Sequence, residues 1–339
     1  MPLETLKSRI ERLPDPSRRL QLGFAVAVLA TQALIAMTGA VVRVTGSGLG
    51  CPTWPQCFPG SMVPVEHPEY DTLNQWIEYG NRLFTGVVGI IAGVCFVLAY
   101  LHRPRTDRRY LRLAAAMPIG VVVQAVIGGL TVRLDLVWWS VAVHLLASTI
   151  MVWLATLLVH AVPREAAPDE TVPGETVPGE TGAQAHVPGT LSTWLYVQTG
   201  FLAGLLVTGT MVTGAGPHGG DPETPRFDVP VETMAHVHAA FLYAFLGSLV
   251  LLGIWLGRQH VFPPPWRRYR VLVAVVLAQG TIGFVQFWTG VPELLVCLHV
   301  LGAMCVIIAT GSLWCGVRGR AAAKDTAGKV TVATGTETA

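Results

Sequence analysis

The chain has 339 residues, of which 52% are hydrophobic and only 13% charged, against about 25% charged in ordinary soluble domains. Mean hydropathy is +0.51 and formal net charge +2. These values exclude a soluble globular enzyme, and nothing in the sequence points to a nucleic-acid partner. Apolar runs near the ~20 residues needed to cross a lipid bilayer place the chain among polytopic α-helical membrane proteins. A barrel would instead show alternating segments of about ten residues.

Eight spans are expected, over 22–42, 81–101, 111–131, 138–161, 192–213, 234–257, 269–289 and 294–316. Basic residues orient them. Lys7, Arg9, Arg12, Arg18 and Arg19 precede the first span. Arg103, Arg105, Arg108, Arg109 and Arg112 lie between the second and third, and Arg258, Arg267, Arg268 and Arg270 between the sixth and seventh. Arg318, Arg320, Lys324 and Lys329 follow the last. The opposite side carries Arg43, Arg82, Arg133 and Arg226. The positive-inside rule then puts both termini in the cytoplasm of a cell-membrane protein.

The expected architecture is all-α, with eight transmembrane helices arranged as two pseudo-symmetric four-helix bundles. Residues 1–162 form the N-terminal half and 191–317 the C-terminal half, followed by a cytoplasmic tail over 318–339. Between the halves, residues 163–190 repeat Val-Pro-Gly-Glu-Thr and read as a flexible cytoplasmic linker.

Internal repetition supports the division. Gln124-Ala-Val-Ile-Gly128 precedes His144 as Gln279-Gly-Thr-Ile-Gly283 precedes His299, each His twenty residues after its Gln. The first span ends on Thr38-Gly39 and following residues, the fifth on Thr208-Gly209. Aligning the halves makes Asn81, His144, His238 and His299 equivalent, all within the first turns of spans entered from outside. They should therefore share one depth near the extracytoplasmic surface.

Ionisable groups inside spans are costly and mark sites. His238 and His299, on different helices at one depth, suit a haem iron held from both sides. The alternative is that each merely bonds a neighbouring helix. His236, two residues from His238, is a rival that spacing does not remove. His144 has no histidine mate because Asn81 occupies that place, so the first half should leave its iron an open or weakly held position. A decayed site without haem, or recruitment of His67 from the external loop, are the alternatives there. Glu78 lies three residues before Asn81 on the same helix face. It could accept a proton or stabilise a cation, or simply be a helix N-terminal charge. Arg43 and Arg82 are candidates for haem propionates, or for interfacial snorkelling.

Cys51 and Cys57 lie in the first external loop, on an oxidising side, where a disulfide is expected; a redox-cycling thiol pair is the alternative. Cys95, Cys297, Cys305 and Cys315 read as packing residues. Trp138, Trp139 and Trp288 sit at span ends, as an interfacial belt would have them.

Several segments together resemble the haem A synthase family over nearly the whole chain. They are Arg43-Val-Thr-Gly-Ser-Gly-Leu-Gly-Cys51-Pro-Thr-Trp-Pro-Gln-Cys57, the Ile77-Glu78…Arg82 stretch, and His144, His238 and His299. The resemblance implies haem b on His238 and His299, a catalytic N-terminal half, and Glu78 as a catalytic candidate beside His144. It also implies that the Cys51 and Cys57 thiols pair. The implied reaction turns the C8 methyl of haem O into a formyl group by successive hydroxylation and loss of water, giving haem A for terminal-oxidase assembly. A haem O synthase is the natural supplier. Many members carry His at the place of Asn81, so the two-histidine N-terminal site is not carried over whole. A non-catalytic membrane cytochrome b is the alternative function. A transporter would want ionisable groups near mid-membrane, whereas these gather at the outer edge. The sequence leaves the oligomeric state open, a homo-oligomer included.

Overall fold

The computed structural model describes residues 14–102, 108–163, 189–258 and 263–334. Among them the chain is all-helical, with eight helices long and apolar enough to cross a membrane. They are α1 (Arg18–Val44), α2 (Thr72–Leu101), α3 (Arg108–Arg133), α4 (Trp138–Ala161), α5 (Gly189–Ala215), α6 (Val231–Arg258), α7 (Pro263–Trp288) and α8 (Glu293–Thr334). The expected linker falls almost wholly outside the described residues, as do the first thirteen residues.

Capping sets two of the starts. The Ser17 side chain accepts from Leu20 N–H at 3.3 Å, and the Asp71 carboxylate from Asn74 N–H at 3.0 Å. Asp71 thus begins α2 nine residues before the expected 81. Glu78 and Asn81 consequently sit in the second and third turns of α2, deeper than a start at 81 implied, while the three histidines sit in the second or third turns of helices that begin within three residues of the expected starts.

Outward faces are apolar: Ile90 is 70% exposed and Val122 65%. Lipid, not water, suits such a surface. Inward faces rely on small residues that let backbones approach. On α1 these are Ala25, Ala33, Ala36 and Ala40. Helix α1 packs on α2 and α4, α2 on α3, and α3 on α4. In the second group α5 packs on α6, α7 on α8, and α5 on α8, while α6 and α7 barely touch. Helices α1 and α4 meet α8, and α4 meets α5, so these four helices join the groups.

Candidate functional site

The repeated Gln-x-x-Ile-Gly segments act on the histidines that follow them. Gln279 Nε2 donates to the His299 carbonyl at 2.7 Å, and Gln124 Nε2 to the His144 carbonyl at 3.4 Å. Each tie joins two adjacent helices at the turn that bears the imidazole. The glycines supply room for the ring. A Cβ at Gly283 would come within 2.9 Å of His299 Cε1, and one at Gly128 within 3.2 Å of His144 Cε1. Gly209 of α5 does the same for His238, at 3.1 Å. All three rings approach a glycine of the preceding helix, Cε1 nearest.

His238 and His299 face one another, with ring centroids 6.4 Å apart and planes at 67°. Imidazole nitrogens approach a bound metal to about 2 Å, so this gap accommodates one ion between the rings. Thr208 Oγ1 bonds the Gly204 carbonyl at 2.8 Å and lies 3.2 Å from His238 Nδ1. With its hydrogen engaged by the helix, Thr208 Oγ1 can accept from His238 in the Nδ1–H tautomer, the one that keeps Nε2 as the acceptor nitrogen. His236 points elsewhere, with Nδ1 2.7 Å from the Glu232 carbonyl on an exposed face. Of the two, it is His238 that lies beside His299.

The other half is built differently. Thr38 Oγ1 donates to Asn81 Oδ1 at 2.7 Å, where its counterpart Thr208 meets His238. A Cβ at Gly39 would touch nothing within 4 Å, in contrast to the filled space at Gly209. The asparagine keeps the threonine contact and leaves empty the place where the ring would lie. His144 Nδ1 and His299 Nδ1 are buried with no hydrogen-bond partner among the described residues. Buried imidazoles with unfilled nitrogens, and no carboxylate in an ion pair with them among the described residues, are a donor set suited to haem iron. No group of three or more His, Cys, Asp or Glu that could hold a bare metal ion occurs among the described residues.

Glu78 is buried, 5% exposed, and belongs to a clamp on the external loop. Its Oε2 accepts from Cys51 N–H at 2.7 Å, and its Oε1 accepts from Arg82 Nη2 at 2.5 Å and Nε at 3.1 Å. Arg82 also donates to the carbonyls of Cys51 (2.8 Å), Thr53 (2.9 Å) and Gln56 (3.2 Å). All five guanidinium hydrogens are thereby occupied. Cys51 and Cys57 form a disulfide with Cα atoms 4.3 Å apart. Glu78, expected to share a helix face with Asn81, makes its side-chain bonds to Arg82 at i+4 and to the Cys51 N–H.

Arg43, at the end of α1, reaches the second group, where its guanidinium donates to the Thr213 carbonyl of α5. His67 stacks on Phe58 at 5.4 Å within the loop's own aromatic cluster. Cys95, Cys297, Cys305 and Cys315 are free, the first two buried. Trp139 and Trp288 are exposed at helix ends, whereas Trp138 stacks on Phe227 at 4.4 Å and packs between the groups. The glycines behind the rings, Thr208 and the loop-binding role of Arg82 were missed. Gly128 and Gly283 were present in the Gln-x-x-Ile-Gly motif and Gly209 in the Thr-Gly repeat, but only packing shows what each glycine does.

Comparison with known proteins bears on the family rather than on individual residues. Heme A synthase of Brucella anthropi is 24% identical over 345 residues, covering 90% of this chain and 94% of that protein. Heme A synthase of Alkalihalophilus pseudofirmus is 33% identical over 98 residues, covering 29% of this chain and 30% of that protein. That of Geobacillus kaustophilus is 29% identical over 111 residues, 33% of each chain. Residues 23–310 match the family described as cytochrome oxidase assembly protein. With all the described spans but the ends of the first and last inside that match, the chain belongs to the cytochrome oxidase assembly protein family.

Proposed function

We propose that this chain is a haem A synthase, a membrane oxidoreductase that converts the C8 methyl of haem O to a formyl group. The observation that carries this reading is the inequality of the two histidine sites. His238 and His299 face each other across 6.4 Å, while His144 is matched by Asn81, which is bonded to Thr38. A site with two strong ligands suits electron transfer, and a site with one suits a substrate that must be held and released. The division of labour follows: residues 1–162 hold haem O, residues 191–317 hold haem b, 163–190 link them, and both termini are cytoplasmic, with the sites towards the extracytoplasmic side.

In the C-terminal half, His238 and His299 hold haem b, and Thr208 keeps His238 in the tautomer that presents Nε2. Haem b, when bound, supplies one-electron transfer. In the N-terminal half, His144 orients haem O from α4, and Gly128 fixes the ring direction. Glu78, positioned by Arg82 and the Cys51 N–H, accepts a proton or stands opposite a developing positive charge. The product serves terminal-oxidase assembly, and a haem O synthase is the natural source of substrate.

Haem extraction with mass analysis, from cells with and without this chain, tests the reading. Haem A should appear only with the chain. Glu78→Gln should cut haem A yield by about 10²-fold or more while haem b per protein stays at the parent level. Haem b without haem A in the parent protein would identify a non-catalytic cytochrome b. An unchanged spectrum in His299→Ala would remove the ligand pair.

A further inference from the structure

We infer that Arg43 and Arg226 together form an anion site at the junction of the two helix groups, which takes the propionate carboxylates of the haem held by His238 and His299. The inference rests on the haem b site proposed above. Arg43 belongs to α1 and Arg226 to the α5–α6 loop, yet both converge on one glycine pair. The Arg43 stem lies over Gly220, and the Arg226 guanidinium lies so close to Gly219 that a Cβ there would collide with it. Gly48 N–H donates to the Gly220 carbonyl at 2.7 Å and closes the junction.

The two cations are near enough for their like charges to repel. The ion pairs among the described residues are Arg82 with Glu78 and His102 with Asp15, so neither Arg43 nor Arg226 has an acidic partner. Arg43 donates to the Thr213 carbonyl, and Arg226 Nη2 to the Pro217 carbonyl at 2.6 Å. Arg43 Nε and Arg226 Nη1 remain buried with no hydrogen-bond partner among the described residues. Unfilled buried donors on adjacent like charges are costly, and an anion between them removes both penalties.

The position specifies which anion. Thr213 Oγ1 donates to the Gly209 carbonyl at 2.9 Å, and Gly209 is the residue against which His238 packs. The Arg43 contact is therefore one helical turn, about 5.4 Å of rise, from the level of that imidazole. The carboxylates at the edge of a haem on His238 fall within reach, and guanidinium groups grip carboxylates in bidentate fashion. Arg82, the other arginine expected to serve propionates, has no hydrogen left to give. Arg226 takes that place. The redox cofactor of one half would thus be held in part by an arginine of the other.

A phospholipid phosphate offers similar chemistry, so the test has two arms. In purified full-length protein, Arg43→Gln and Arg226→Gln should each move the haem b midpoint to more negative potential. The double variant should move it further, because a cation beside the propionates favours the reduced haem. Arg226→Lys should keep the midpoint near that of the parent, and the two single Gln variants decide the matter if the double variant fails to retain haem. A midpoint unmoved in all variants at full haem content overturns the inference. So does loss of a bound phospholipid from the double variant, seen by native mass spectrometry, with the midpoint unchanged. A parent protein lacking bis-histidine haem b overturns the proposed function together with this inference; retained haem b with an unmoved midpoint overturns the inference alone.

Discussion

Three imidazoles in this protein lie against glycines, and the tightness of each contact grades what a methyl group would do. At Gly283 the added Cβ would sit 2.9 Å from His299 Cε1, closer than real Cβ contacts come, and the glycine is on a helix that cannot yield easily. Gly283→Ala should displace the ring and lower the haem b content of the purified protein several-fold, measured as haem per protein. Gly128→Ala, at 3.2 Å from His144 Cε1, should spare haem b and reduce haem A yield instead. Equal losses of both pigments in both variants would mean that the glycines serve helix packing rather than their own rings. At this scale the sequence was informative about identity and silent about purpose. The spacing of Gln124 and Gln279 from their histidines was visible as a repeat. That the glutamine binds the histidine's own carbonyl, and that the glycine is a seat for the ring, depends on which helix faces turn together. Arg226 carried no signal beyond a basic residue on the sparsely charged side, because its meaning comes from Arg43, 183 positions away.

Between α1 and α2, the external loop and the helix behind it behave as one unit. The loop is held by the disulfide, by Arg82 on three carbonyls, and by Glu78 on Cys51 N–H. Gly50 lets the loop lie on the helix: a Cβ there would stand 2.6 Å from the Asn74 carbonyl carbon and 2.8 Å from Gln75 N. Closing so small a ring stabilises the native state by about 2 kcal/mol in the chain-entropy picture. Replacing both Cys51 and Cys57 by Ser should therefore leave the bundle folded. It should also loosen the Cys51 N–H bond to Glu78, so that haem A yield falls while haem b content holds. Arg82→Met should do more damage, since it strands a buried carboxylate and unsatisfied carbonyls; breaking such a pair costs about 3–5 kcal/mol. Thermal stability of the detergent-solubilised protein checks both, and a Cys double variant that loses haem b first would break the assignment of this loop to the N-terminal site. The eight spans were legible because lipid demands long apolar runs. The start of α2 was not, because the stretch from Thr72 to Gly80 is too polar to register as membrane, although Asp71 carries the capping side chain that begins it.

Across the whole molecule, the two helix groups do not have equal cores. One cluster, with Ala25, Val88, Cys95, Met117, Val121 and Leu158, draws only on α1–α4 and Val162 just after them. The other joins Phe245, Leu249, Leu272, Met304 and Ile307 of the second group to Ala33, Ala36 and Val152 of the first. Trp153 of α4 meets Trp314 of α8 at 6.0 Å, and His160 Nε2 lies 3.3 Å from Ser312 Oγ. The junction is packed with side chains from both partners, and in lipid such packing is what holds helices together. The covalent connection over 163–190 is therefore dispensable for association. Co-expressed fragments 1–175 and 176–339 should co-purify from membranes through a tag on either one. The asymmetry of the cores adds a direction. The N-terminal fragment alone keeps a complete core and should accumulate in membranes. The C-terminal fragment alone exposes the face that Ala33, Ala36 and Val152 cover and lacks Arg43, so its yield and its haem b content should both fall and recover when the N-terminal fragment is supplied. Fragments that never co-purify, or a C-terminal fragment that holds full haem b by itself, would show that the halves are independent modules and that the shared core contributes nothing to the redox site.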